Sequence, residues 1–232
     1  MTKKIADGIW QINSLGNVFV VEHEGVVLID AGVAPKTDKV LAGIEASGHI
    51  PTDIRDIYVT HYHSDHVGGL ARLAEATNAT VHAPAGEAEI IRTGAATPPK
   101  KTKGLMGKIF VSMGTAAGQS PAPVHEEVTG GSTLPDGTQV ISTPGHTVDH
   151  VVYVMPLHGG VLFTGDAALN FTTPDIVPVN EDFAMAEQSF LSLGKHDYEM
   201  VAFGHGRPIT SGGAQKIAAA ADRRYGHQIK QA

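Results

Sequence analysis

The chain is predicted to fold as an α/β protein, and three observations predict it. Short apolar, β-branched runs alternate with segments whose apolar residues recur at helical spacing. Hydrophobic residues make up 42% of the 232, enough to bury a sizeable core in one domain spanning 1–232. A cluster of histidines falls where an apolar run ends and a helical one begins, on a loop where polar side chains can converge.

The first elements are strands. Ile9–Ile12, Asn17–Glu22 and Val26–Asp30 are β-branched and aromatic runs separated by breaks, which predicts an antiparallel meander. Pro35–Ser47 carries Val40, Leu41 and Ile44 at helical spacing, and Gly48 supplies a stop. Ile57-Tyr58-Val59 reads as a buried strand, and Val67–Ala76 as a helix rich in Ala and Leu. Ala79–Ala83 is another strand, with His82 beside it, and residues 85–92 form a short helix. Val124–Val128, Thr138–Thr143, Val151–Met155 and Gly160–Thr164 follow as strands, with a turn at Leu134–Gly137. Phe183–Leu193 is an amphipathic helix, Tyr198–Phe203 a last strand and Ser211–Tyr225 an Ala-rich helix. The strand–helix–strand alternation predicts a sheet with parallel pairs.

Residues 94–123 differ in character, being dense in Gly, Pro, Thr, Ser and Ala. A loop this long is read as an insertion with a function of its own, a lid over the histidine cluster. Leu105, Met106, Ile109 and Phe110, with Met113, then offer an apolar wall to a substrate. The same residues suit a homodimer contact or a plain surface loop. Lys100, Lys101 and Lys103 form a solvated basic run that would also attract an anionic substrate.

Charge and cysteine content narrow the function. With 17 basic and 24 acidic residues the net charge is -7 and no long run of one sign occurs, which argues against a nucleic-acid or anionic-membrane partner. There is no cysteine, hence no disulfide scaffold, cysteine ligand or thiolate nucleophile. The N-terminal residues enter a strand without an apolar signal core, and no uninterrupted membrane-length run occurs, so a cytoplasmic protein is expected.

The chemistry lies in Thr60-His61-Tyr62-His63-Ser64-Asp65-His66. Imidazole and carboxylate are the ligands of zinc and related divalent ions, and a helix start adds positive potential. His61 and His63 point one way along the extended chain, Asp65 and His66 toward a neighbouring point, so two adjacent ions are expected. Further along, Pro144-Gly145-His146, Thr164-Gly165-Asp166 and Gly204-His205-Gly206 each close an apolar run.

This ordered set, with Leu28-Ile29-Asp30-Ala31-Gly32 near the N-terminus, resembles the metallo-β-lactamase-fold hydrolases over nearly the whole chain. The resemblance implies a four-layer α/β/β/α sandwich. It implies that His61, His63 and His146 hold one metal, that Asp65, His66 and His205 hold a second, and that Asp166 bridges them. Zinc is the expected metal, with iron or manganese also suited to such nitrogen and oxygen ligands. Asp65 is expected to orient the nucleophile, His150 to support catalysis from beside the ligands, and Asp30 to brace a ligating histidine from behind. Asp166, where the commonest β-lactamases carry Cys, points to the glyoxalase II and lactonase-like branches. Tyr62 and Tyr198 are the candidates for the tyrosine that lactonases of the family place near the metals.

The expected reaction is hydrolysis of a small ester, lactone or thioester by a metal-bridging hydroxide. Three other readings use the same residues: a phosphoester hydrolase, a mononuclear iron enzyme of the persulfide dioxygenase type on His61, His146 and Asp166, and a non-catalytic scaffold held by metal.

Overall fold

Apolar side chains alternate between two buried faces along the strands, and that alternation builds the architecture. The computed structural model describes residues 2–105, 107–109 and 120–229, the last three as backbone only. β1 (Thr2–Ala6), β2 (Ile9–Asn13), β3 (Asn17–Glu22) and β4 (Val26–Ile29) form the antiparallel meander. β5 (Ile54–Tyr58), β6 (Thr80–Pro84) and β8 (Glu126–Val128) extend it in parallel. The result is a seven-stranded sheet in the order β1-β2-β3-β4-β5-β6-β8.

A second sheet has the order β14-β11-β10-β9, from β9 (Gln139–Ser142), β10 (Val151–Met155), β11 (Val161–Phe163) and β14 (Met200–Ala202). Two short pairs complete the strands. β7 (Lys101–Thr102) runs antiparallel to β13 (Val179–Asn180), and β12 (Leu169–Asn170) runs parallel to β15 (His205–Gly206). The helices are α1 (Thr37–Ala46), α2 (Ser64–Val67), α3 (Leu70–Thr77), α4 (Ala88–Thr93), α5 (Phe183–Leu193) and α6 (Gly213–Ile229).

Three apolar cores separate four layers. On β3, Val18 and Val20 face α1 and α3, where they meet Val40, Ile44, Leu70 and Leu73. The alternate residues Phe19 and Val21 face the second sheet and meet Tyr153 and Phe163. Phe19 packs edge-on to Phe163 at 5.4 Å, and Tyr58 stacks on Tyr153 at 5.2 Å. On β10, Val152 and Val154 turn outward to Phe190, Leu193 and Ile217 of α5 and α6. This is the α/β/β/α sandwich expected from the resemblance. Burying each such side chain contributes about 1.5–3 kcal/mol, so polar ligating groups are confined to the rim where strands end.

One boundary differs from the sequence reading. The helix does not start cleanly at Val67: Ser64, Asp65 and His66 already form the one-turn α2, and Gly68-Gly69 separates it from α3. A Cβ on Gly68 would stand 2.3 Å from Ser64 O and 2.7 Å from Ala34 N, and one on Gly69 2.6 Å from Ala31 O. The break therefore lets the 31–34 loop pack against the cluster. No described helix is long and apolar enough to cross a membrane.

Candidate metal centre

Each cluster residue follows the end of a strand: His61, His63, Asp65 and His66 follow β5, His146 lies between β9 and β10, Asp166 follows β11, and His205 opens β15 after β14. All seven meet at one rim of the sandwich. Ligand atoms of His61, His63 and His146 lie within 4.8 Å of one another, as do those of Asp65, His66 and His205, and those of His61, His66 and Asp166.

Hydrogen bonds behind the rings decide which nitrogen faces inward. Asp30 takes Thr60 N–H at 2.8 Å, the Thr60 hydroxyl at 3.0 Å and His66 Nδ1–H at 2.7 Å. With its hydrogen given to Asp30, Thr60 Oγ1 accepts from His61 Nδ1, 3.0 Å away. His146 Nδ1–H donates to Val179 O at 2.8 Å. Nε2 of His61, His66 and His146 are thus aimed at the centre, the orientation that metal-ligating imidazoles take from such partners. Asp30 holds this post from a left-handed backbone, φ 58°, a region Asp tolerates better than most residues.

The donor set fits divalent cations. His61 Nε2, His66 Nε2 and Asp166 Oδ1 are buried with no hydrogen-bond partner among the described residues. His63 Nδ1 and His146 Nε2 stand 2.7 Å apart, too close for two facing lone pairs unless a proton or a cation lies between them. Asp166 reaches both halves: Oδ2 is 3.4 Å from His146 Nε2, while Oδ1 is 3.3 Å from His66 Nε2 and 3.4 Å from His205 Nε2. Asp65 Oδ2 lies 3.2 Å from His205 Nε2.

His150 sits behind this set. Asp166 N–H donates to its Nε2 at 3.1 Å, and its Nδ1–H faces Thr143 Oγ1 at 2.8 Å. Both nitrogens are engaged by protein, which sets the ring behind Asp166 rather than among the clustered ligand atoms. The two tyrosines are engaged as well: the Tyr62 hydroxyl donates to Glu181 Oε1, and the Tyr198 hydroxyl donates to Leu193 O. Leu105 and Ile109 of the expected apolar wall are exposed, whereas Met106, Phe110 and Met113 lie outside the described residues.

Two residues that the sequence did not single out also shape the site. Glu87, fully buried, accepts Tyr62 N–H at 2.7 Å on one oxygen and the Thr147 hydroxyl on the other. It thereby ties the loop of His61 and His63 to that of His146. Gly16, between β2 and β3, covers His66: a Cβ there would meet Asp65 O at 3.0 Å and His66 Nε2 at 3.2 Å. Gly16→Ala should weaken metal binding about tenfold without unfolding the chain, as read by zinc competition with a chelator. Unchanged affinity would show that the loop yields.

Burial and charge split the rings into two classes. Burial, reinforced by neighbouring rings, holds His61 and His63 well below the ordinary histidine value, and His150 likewise. Burial also takes His146 down to about 4. Burial opposes the charged form of His66 and His205 too, but Asp166 with Asp30 and Asp65 outweighs it. His66 is raised well above the usual value and His205 to about 10.

These shifts predict a stability optimum for the metal-free protein. The lowered rings contribute fully above about pH 6.5, and that contribution is lost as pH falls through their folded values. The raised rings contribute fully below about 6.5, and theirs is lost as pH rises toward about 10. Unfolding in denaturant plus chelator should therefore show a maximum near pH 6.5. A flat profile from pH 7 to 10 would contradict the protonated state of His66 and His205.

Comparison with known proteins adds family and fold. The family model described as Metallo-beta-lactamase superfamily matches residues 13–205. A hydroxyacylglutathione hydrolase of Rhodopseudomonas palustris is 35% identical over 121 residues, covering 52% of this chain and 36% of that protein. One of Methylobacillus flagellatus is 32% identical over 150 residues, covering 62% and 44%. The match thus spans less than half the length of these relatives. Among solved structures, a subclass B3 metallo-beta-lactamase of Bradyrhizobium japonicum superposes with TM-score 0.75 at 18% identity, covering 99% of this chain and 92% of that one. A metallo-beta-lactamase mutant from Cronobacter sakazakii gives 0.74 at 22% identity, covering 100% and 96%. At such identities the structures speak for the fold alone.

Proposed function

Because the chain belongs to the metallo-beta-lactamase superfamily, we propose that it is a hydrolase using two divalent cations, zinc first among them, on a small ester, lactone or thioester. The observation that carries this reading is the reach of Asp166, whose two oxygens address His146 on one side and His66 with His205 on the other. His61, His63 and His146 would hold one cation, Asp65, His66 and His205 the other, and Asp166 both. Bound there, such cations would supply Lewis acidity and lower the pKa of a coordinated water to near 7.

The protein's own groups do the rest. Asp65, its side chain 16% exposed against 6% for Asp166, is the carboxylate that faces incoming substrate and orients the attacking water. Asp30 and His150 hold His66 and Asp166 in place from behind. The described start of segment 94–123 lies across β13, next to the centre, which supports its reading as a lid. Relatives named hydroxyacylglutathione hydrolase favour the thioester among the three substrate classes.

The test is a panel of thioesters, lactones, phosphodiesters and β-lactams offered to the zinc-loaded protein. Turnover of a thioester, lactone or simple ester is expected. Cleavage of phosphodiesters alone, or oxygen uptake by a protein holding one iron, would replace the proposal.

A further inference from the structure

A lysine overlooks the metal centre without belonging to it. The register of β7 on β13 sets Thr102 against Val179 and Lys101 against Asn180, so its continuation brings Lys100 beside Glu181. The strand is pinned at its other end. Lys103 N–H donates to Pro178 O at 2.8 Å, and its ammonium donates to Glu187 Oε1 at 2.9 Å while lying 4.3 Å from the Phe183 ring centre. Held this way, Lys100 Nζ stands 6.0 Å from the ring centre of Tyr62, the residue between His61 and His63.

Lys100 is half-buried, and among the described residues its ammonium makes no hydrogen bond and has no carboxylate within 4.0 Å. Its contact with the Tyr62 ring face leaves the three N–H donors of a partly desolvated cation unfilled, which is costly. Burial lowers its pKa, while Asp65, Glu181 and Asp166 favour its charged form from a distance. Each of those three has another partner. Glu181 Oε1 accepts from the Tyr62 hydroxyl, and Asp65 and Asp166 belong to the metal set.

We propose that Lys100 is a specificity-determining residue that binds a carboxylate borne by the substrate, so that acid-bearing thioesters are preferred over neutral ones. The substrate class rests on the hydrolase reading above; the anion site does not. The lysine comes from the segment between β6 and β8.

Two matched thioesters test it, the S-acetyl derivatives of 3-mercaptopropionate and of 3-mercaptopropionamide. Wild type should favour the acid by about tenfold in kcat/KM, through KM, the usual worth of one charge-assisted bond. Lys100→Gln should bring the ratio close to one, and Lys100→Arg should restore most of it. Calorimetry of the two free thiols on the metal-loaded protein repeats the comparison without turnover, and only the acid should bind more weakly to Lys100→Gln. Turnover of both thioesters with no preference for the acid would overturn the anion site and leave the hydrolase reading intact. Failure to turn over either, with the calorimetric difference present, would do the reverse. Equal loss for acid and amide in Lys100→Gln would show that the lysine only shields Tyr62 and Glu181, and would also overturn it.

Discussion

Asp166→Ala should leave at most one tightly held cation per chain and lower kcat/KM by about a thousandfold or more, roughly 4 kcal/mol of barrier. The size of the effect follows from position. Among the described residues Asp166 is the one carboxylate that reaches imidazoles of both halves, so its loss would remove a proposed ligand from each at once. The variant should still fold, because the three apolar cores do not include this residue. It should also lower the pH at which His66 and His205 release their protons, since Asp166 is the largest of the charges that retain them. Elemental analysis, steady-state kinetics and unfolding in chelator give the three readouts. A variant that keeps two ions and most of its activity would remove Asp166 from the bridging role.

Much of this arrangement was legible in the sequence because it is written in rare residues at fixed places. The four motifs that carry His61, His63, Asp65 and His66, then His146, Asp166 and His205, each follow an apolar run, and here each such run is a strand. What was not legible depends on backbone geometry. β7, β12, β13 and β15 are two residues long and carry no period, so nothing local announces that Lys101 lies opposite Asn180. Glu87 is one glutamate just before a short helix, and only the folded chain brings it to Tyr62 N–H and Thr147. His150 was visible beside His146, but its role depends on which partner each ring nitrogen finds. The start of the helix after the cluster was misplaced because Gly68 and Gly69 answer to a neighbouring loop, not to local propensity.

Glu87→Ala should cost about 2–4 kcal/mol of stability, since it leaves the buried Tyr62 N–H and Thr147 hydroxyl without their acceptor. It should also lower affinity at the His61, His63 and His146 position by about 10- to 100-fold, as loss of an outer support commonly does. Burial, helped by Glu181 and Asp149, raises the Glu87 carboxyl to about 8 against the hydrogen bonds of Thr147 and Tyr62, so it is largely neutral at pH 7. Gln is isosteric with that neutral form: its oxygen can accept from Tyr62 N–H, and its amide N–H, like the O–H of the acid, can donate to Thr147 Oγ1 once that hydroxyl turns its own hydrogen away. Glu87→Gln should therefore stay within about 1 kcal/mol of wild type at about pH 4.5 and below, where the glutamate is neutral in both the folded and the unfolded chain. The sign with pH is fixed by the raised value. The stabilising contribution of the neutral carboxyl is complete below about 4.5 and is lost as pH rises through about 8. The Gln variant should lack that loss, so it should become progressively the more stable of the two as pH rises from about 4.5 to 8, with no further change above. Zinc titration should show one of two binding steps weakened in Glu87→Ala and neither in Glu87→Gln; two steps weakened alike would mean that Glu87 serves general packing.

The account as a whole depends on two cations sharing Asp166. The most direct measurement is a crystal structure of the zinc-loaded protein with anomalous scattering at the zinc edge. Two peaks roughly 3.5–4 Å apart are expected, one against His61, His63 and His146 and the other against Asp65, His66 and His205, with a carboxylate oxygen of Asp166 toward each. A single peak at saturating zinc, with Asp65 and His205 turned away from it, would contradict the two-metal hydrolase.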